Sequence, residues 1–289
     1  MTRGRPRPWG EPTRGTTAPN RLRRVDRYLI ARLAPLLRRT EARLVVDVGY
    51  GATAVTTVEL FDRLRTGLGP QLRVTGVELD PARVAAGRQL AARRTAGAPP
   101  DGSLQFVHGG FELPVGEAPL AVRALNVLRQ YDEDRVTAAW RGLVDRLDPE
   151  GILVEGTCDE TGRRGAWVTV YAADPRGPGG QVVPRTLTLA AQLRTLSRPG
   201  ELAERLPKAL IHHNVPGESV HDLLARLDHA WDASAPQRSF GQRQRWLATI
   251  TAVRAQGISV LDGPGRWRLG ELTVPWSVVA PASRPSQPG

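Results

Sequence analysis

The run Leu44-Val45-Val46-Asp47-Val48 passes directly into Gly49-Tyr50-Gly51-Ala52. A second run, Val74-Thr75-Gly76-Val77-Glu78, ends in a carboxylate just before Leu79-Asp80-Pro81. An apolar run, a glycine-rich turn, a helix-compatible segment and another apolar run make one βαβ unit. The ligand site of such a unit lies at the carboxyl ends of its strands. Glycines there let backbone approach a ligand where a Cβ would clash. Glu78, at the end of the second strand, is suited to accept hydrogen bonds from both hydroxyls of a ribose. The unit points to an adenosine-containing cofactor.

Two cofactors compete for it. Gly49-x-Gly51-x-x-Ala54 fits the loose dinucleotide fingerprint, so NAD and a dehydrogenase reading stay open. Asp47 favours S-adenosylmethionine: its carboxylate suits the ammonium of a methionine moiety and would repel a pyrophosphate. Glu78 also comes later than the roughly 20 residues expected of the dinucleotide acid.

Further motifs follow in order. They are Val77-Glu78-Leu79-Asp80-Pro81 with Val84, then Leu104 to Pro114, with His108-Gly109-Gly110-Phe111-Glu112 at its centre. Val122 to Tyr131 and Leu147 to Gly156 complete the set. Across roughly residues 40–160 this series resembles the class I S-adenosylmethionine-dependent methyltransferases. The resemblance implies a Rossmann-like seven-stranded α/β sheet with helices on both faces and a reversed last hairpin. It implies S-adenosyl-L-methionine bound by Asp47, Gly49, Tyr50, Gly51, Glu78, Leu79, Gly110, Phe111 and Asn126. Phe111 would flank adenine, and Asn126 would face the transferred methyl. Two positions depart from the family's pattern: Thr53 replaces a third glycine, and Gly110 replaces the acid that bonds the adenine amine. Glu112 or a backbone carbonyl is the natural substitute. The departures keep a second reading open, a methyltransferase-like binding module without turnover.

Charge divides the chain. Residues 1–43 hold twelve arginines against Glu11, Asp26 and Glu41, and so carry nine of the net +11. Residues 1–19, with Arg3, Arg5, Arg7 and Arg14, read as a basic disordered arm of the kind that meets polyanions such as RNA. Residues 20–195 read as the cofactor-binding domain, 196–280 as a mainly helical extension that ends in short strands and shapes the acceptor pocket, and 281–289 as a flexible tail. No apolar run approaches the ~20 residues of a membrane span, and no secretory signal is visible. A cytoplasmic protein is expected. Cys158 is the only cysteine, which excludes an internal disulfide and a zinc cluster.

Strands are expected at 44–48, 73–78, 104–107, 121–126 and 151–155, with a closing pair at 167–171 and 185–189. Loops are expected at 97–102 and 174–180. Asn20 is the expected N-cap of a first helix whose apolar face is Val25, Leu29, Leu33 and Leu36. Arg21 and Arg24 at its start suit an anionic substrate group. In the extension, helices are expected at 201–213, around Val220 to Trp231, and at 241–255, with strands at 258–261, 266–269 and 271–279.

Methyl transfer needs little acid–base help when the acceptor is already nucleophilic. The catalytic candidates are accordingly few: His212 as base, and Lys208, the only lysine, four residues earlier on the same helix face. The polar-Pro-Pro-aromatic signature of adenine-amine methylation is absent after the fourth strand. Thr157-Cys158 occupies the place of a cytosine-methylating cysteine, but its partner motif is missing. His221 and His229 show no metal-ligand spacing, so no metal is expected. Arg243-Gln244-Arg245-Trp246 and Arg266-Trp267-Arg268 interleave base and aromatic, a pattern that stacks on unpaired RNA bases or lies in a core. A small-molecule acceptor is slightly preferred over RNA.

Overall fold

The computed structural model describes residues 8–12, 17–94, 102–173 and 182–282. The loop expected at 174–180, most of that at 97–102, and Arg3, Arg5, Arg7 and Arg14 lie outside the described residues.

The apolar runs form strands β1 (Leu44–Val48), β2 (Arg73–Glu78), β3 (Leu104–His108), β4 (Ala121–Leu125), β5 (Ile152–Cys158), β6 (Arg164–Tyr171) and β7 (Thr186–Ala191). An eighth, β8 (Glu271–Pro275), comes from the extension. The sheet order is β3-β2-β1-β4-β5-β6-β7-β8. The first five strands are mutually parallel; β6, β7 and β8 alternate antiparallel. Seven strands thus follow the expected α/β plan, with β6 reversed, and the extension adds the eighth at the far edge. The strands after β5 are laid down in chain order.

Helices cover both faces, which is why β1, β4 and β5 are buried along their whole length and are largely apolar rather than alternating, with Asp47, Arg123 and Glu155 as the charged exceptions. On one face lie α1 (Arg23–Leu36) and α2 (Val55–Leu68), with Leu29, Leu33, Leu60 and Leu64 packed on Val45, Ala121 and Val154. Helix α3 (Pro81–Arg94) seats Val84 beside Tyr50 and Phe106. On the other face lie α4 (Asp134–Val144), α6 (Ser219–Ala233) and α7 (Gln242–Ala255), with the single turns α5 (Lys208–Ile211) and α8 (Pro264–Trp267). The extension shares its core with the sheet: Leu227, Trp231, Trp246 and Ile250 belong to the same buried cluster as Val46, Val122 and Leu153.

Several local expectations change. Asn20 is not an N-cap. It adopts a left-handed φ of 64°, takes the Glu59 carboxylate on its amide at 2.8 Å and accepts from Arg63, and α1 begins at Arg23 with no side-chain cap. The helix expected at 201–213 splits into a 3-10 segment, Pro199–Arg205, and α5, because Pro207 cannot donate within a helix. Residues 266–269 turn as α8 instead of forming a strand, and 258–261 stay irregular, with Leu261 tied to Thr273 by one backbone bond. The strand expected over 271–279 stops at Pro275 and continues as a 3-10 turn. Trp246 and Trp267 are buried, and the Arg245 guanidinium donates to the Trp231 carbonyl at 3.0 and 2.8 Å. The arginine–tryptophan pairs therefore build the core and offer no stacking platform. Among the described residues no helix is long and apolar enough to cross a membrane, and no cluster of three or more His, Cys, Asp or Glu is placed to hold a metal ion.

Candidate functional site

The carboxyl ends of β1, β2, β4 and β5 converge on one cleft. After β1, Gly49 (φ 64°) and Gly51 (φ 84°) turn through the left-handed region that side chains disfavour, bringing bare backbone to the cleft floor. Asn126 makes the equivalent turn after β4 at φ 62°. Its side chain ties β4 to β5: Oδ1 accepts from the Cys158 amide at 2.9 Å, and Nδ2 lies 3.3 Å from Sγ. Burial pushes the Cys158 thiol up, so it stays protonated and is a poor nucleophile.

A cavity of about 330 Å³ opens along these ends. Asp47, Gly49, Tyr50, Gly51, Asn126 and Cys158 form one wall, and Arg21, Arg129 and Arg205 line it together with one acid, Glu160. Arg21 donates to the main-chain carbonyls of Asp159 (3.0 Å) and Cys158 (3.4 Å). Arg129 donates to the Glu204 carbonyl at 3.3 Å, while Arg205 Nε is buried without a hydrogen-bond partner. Arg129 and Arg205 escaped the sequence reading. One follows β4 and the other comes from the extension, so nothing in their spacing connects them.

Asp47 does not offer its carboxylate to the cleft. Successive strand side chains point to opposite faces, and Asp47 lies on the α1/α2 face beside its register partner Arg123. Arg123 Nε donates to Oδ1 at 2.8 Å and Nη2 to Oδ2 at 2.6 Å, and Thr57 Oγ1 takes the same Oδ2 at 2.7 Å. Arg123 Nη1 pairs with buried Asp26, whose other oxygen meets Arg63 at 2.5 Å. Burial opposes the charge on Arg123, but Asp47 and Asp26 outweigh it and hold the guanidinium protonated. Burial likewise pushes the Asp26 carboxyl up, while its two guanidinium partners pull it back. The expected meeting of Asp47 with an ammonium is thus replaced by an internal ion network. Its repulsion of a pyrophosphate weakens for the same reason. An arginine inside the apolar strand Ala121–Leu125 and an aspartate on the apolar face of α1 were the signals for this network.

Glu78 is buried at the end of β2. Its Oε2 accepts from the Gly51 amide at 3.0 Å and Oε1 from the Leu79 amide at 2.9 Å, with Arg83 Nη1 3.8 Å away. It ties the glycine turn to β2, and its Oε1 also accepts from the Asp80 amide at 3.4 Å. Beyond it Leu79, Gly110, Phe111, Val127 and Tyr131 outline a second, apolar compartment. That compartment is filled by Trp9, Gly10 and Glu11, leaving a cavity of only about 10 Å³. These residues belong to the stretch expected to be a disordered arm.

The remaining candidates lie apart. Arg24 donates to the carbonyls of Gly162 and Leu269 at 3.2 and 2.9 Å, which fastens α1 to the sheet. Lys208 and His212 do not line the cavity. The neighbouring His213 is the engaged histidine, bonded to Glu133 at 2.7 Å and Glu218 at 3.2 Å. Burial lowers its pKa, and the two carboxylates more than reverse that.

No family model matches this chain, and no curated protein does. Solved structures do. The chain is similar to magnesium protoporphyrin IX methyltransferase from Synechocystis PCC 6803 with bound S-adenosylhomocysteine, at 18% identity and TM-score 0.34, over 50% of this chain and 62% of that one. A protein-L-isoaspartate O-methyltransferase from Plasmodium falciparum matches at 15% identity and TM-score 0.37, over 61% and 74%. An rRNA methylase from Clostridium thermocellum matches at 15% and 0.33, over 49% and 70%. The chain spans less than two thirds of the Synechocystis enzyme. At TM-scores of this size the likenesses decide neither activity nor acceptor.

Proposed function

We propose that this chain transfers a methyl group from S-adenosyl-L-methionine to a small anionic acceptor, in the cytoplasm. One observation carries the reading: where the parallel strands end, two left-handed glycines line a cavity of about 330 Å³, and the amide of one of them, Gly51, is held by the buried carboxylate that ends the next strand. In this reading Gly49 and Gly51 admit the cofactor to bare backbone, Glu78 receives the ribose hydroxyls, and Phe111 flanks the base. Tyr50, Leu79, Gly110 and Asn126 line the same path. The bound cofactor supplies a methyl group activated by its sulfonium.

The residues then hold and align. Arg129 and Arg205 bind the acceptor's anionic part, and Arg21 closes the wall beside them. Their arrangement favours a carboxylate or phosphate on the acceptor. Asn126, pinned to Cys158, sets the floor against which the acceptor is aligned, and alignment supplies most of the acceleration. Arg205 gives the extension its part in shaping the acceptor pocket. RNA remains the competing acceptor on charge grounds, through the basic arm. Binding of a generic RNA that falls steeply with salt, and flattens when residues 1–19 are removed, would favour it.

The filled compartment next to Glu78, with Arg83 at 3.8 Å, favours a second reading: a methyltransferase-like binding module without turnover. S-adenosylhomocysteine that copurifies with the protein would favour the enzyme over the module. Calorimetric titration tests the cofactor assignment itself: micromolar binding of S-adenosylhomocysteine that disappears in Glu78→Ala supports it. No heat with the full chain and none with variants whose arm is released refutes it. Heat with NAD instead would move the chain to the dehydrogenases.

A further inference from the structure

Residues 8–12 are seated on the body through contacts that only missing side chains permit. The Trp9 carbonyl accepts from the Phe111 amide at 2.9 Å, and the Trp9 amide donates to Glu112 Oε2 at 2.9 Å. A Cβ on Gly110 would lie 1.9 Å from the Trp9 carbonyl oxygen, and one on Gly142 would lie 2.5 Å from the Trp9 ring. Gly10 takes φ 144°, and a Cβ there would come within 3.0 Å of Leu79 and 3.2 Å of the Tyr131 hydroxyl. The Trp9 ring meets Phe111 edge-on at 5.3 Å, Gln130 Nε2 donates to the Glu11 carbonyl at 3.1 Å, and Arg135 pairs with Glu11 at 3.0 Å. The seat draws on the β3–β4 connection, the segment after β4 and α4, so it is more than one loop's local turn.

The chemistry of that seat is specific. The body presents one N–H donor, from Phe111, and one carboxylate acceptor, from Glu112, side by side at the solvent-facing rim of the apolar compartment. The edge of the Trp9 peptide meets them with one acceptor and one donor. The amino-substituted edge of adenine carries the same pair, a ring nitrogen that accepts and an amine that donates. The cavity remaining beside the arm, about 10 Å³, is at the lower limit for one water and far below a base.

We infer that the Trp9–Glu11 segment is an internal ligand that occupies the nucleobase compartment by imitating the hydrogen-bonding edge of adenine, so that the arm must leave before the cofactor binds. The inference rests on the cofactor reading proposed above. The full chain then shows an affinity reduced by the fraction of molecules whose arm is released.

Two full-length variants test this from opposite sides of the contact. Gly10→Val strains only the docked arm, and Gly142→Ala crowds the Trp9 ring from a helix that does not line the compartment. Each is expected to bind S-adenosylhomocysteine roughly tenfold more tightly than the unaltered chain, as release of a competing conformer requires. Hydrogen exchange gives an independent readout. Adding S-adenosylhomocysteine to the unaltered chain should expose the Trp9 and Glu11 amides while the Phe111 amide stays protected. Equal affinity in all three proteins overturns the inference and leaves the cofactor reading standing. Protection of Trp9 and Glu11 on ligand addition also overturns it, since the arm would then close over the ligand. No binding by any of the three refutes the cofactor reading itself.

Discussion

Glu155→Gln should make this protein markedly more stable at neutral pH and leave it unchanged in mild acid. Glu155 sits in the middle of β5 with no exposed surface, its Oε2 3.3 Å from the Trp140 indole nitrogen and its Oε1 without a partner. Burial is the main influence and pushes the carboxyl up to about 8, against 4.5 for a free glutamate. Between those values the unfolded chain has lost the proton and the folded chain keeps it. The unfolded state therefore binds fewer protons, and stability falls as pH rises through this window. At about 1.36 kcal/mol per pH unit, the loss is roughly 3.4 kcal/mol between pH 4.5 and 7, and roughly 5 kcal/mol by pH 8. Glutamine keeps an acceptor for Trp140 and does not titrate. Urea unfolding of both proteins at several pH values should give a stability difference near zero at pH 4.5. It should grow in favour of the variant by about 1.4 kcal/mol per unit up to pH 8, with unchanged m-values. At pH 7 the melting temperatures should differ by roughly 5–7 °C for a chain of 289 residues. A difference that does not change with pH would refute the argument, because it would mean that the folded carboxyl ionises at its ordinary pH.

Arg123→Met should leave Asp47 without a counter-charge in the core, and Asp26 with Arg63 alone, and lower stability by about 3–5 kcal/mol, whereas adding Asp47→Asn should recover much of that loss; chemical denaturation of the single and double variants checks both. Arg205→Ala and Arg129→Ala should each raise KM for a carboxylate- or phosphate-bearing acceptor about tenfold or more and leave affinity for S-adenosylhomocysteine unchanged, since each removes a charge-assisted hydrogen bond of about 1.5–3 kcal/mol. A change confined to cofactor affinity would remove both residues from the acceptor site.

The sheet was legible in the sequence because most of its strands are buried on both faces, the edge strand Leu104–His108 excepted, and so stand out as short, largely apolar runs. Leu44–Val48, Arg73–Glu78 and their successors needed no partner to be recognised, since covalent order and side-chain period already define them. The glycine turn at 49–51 was legible for a related reason: a left-handed backbone demands a residue without Cβ. What the sequence could not assign was which side chain spends its charge on which neighbour. Asp47 looked available until its register partner proved to be Arg123, a pairing created when β1 and β4, distant in sequence, become neighbours. Gly110 looked like a gap in the nucleobase compartment, yet it is the clearance that lets the Trp9 carbonyl approach. The arm itself read as solvated because its composition is polar and proline-rich. The seating of residues 8–12 depends on a donor from Phe111 and an acceptor from Glu112, about a hundred residues away. Local pattern determined the first seven strands and the glycine turn, but not the short elements of the extension; long-range contact decided which groups remain for a ligand, because that depends on distances the chain acquires on folding.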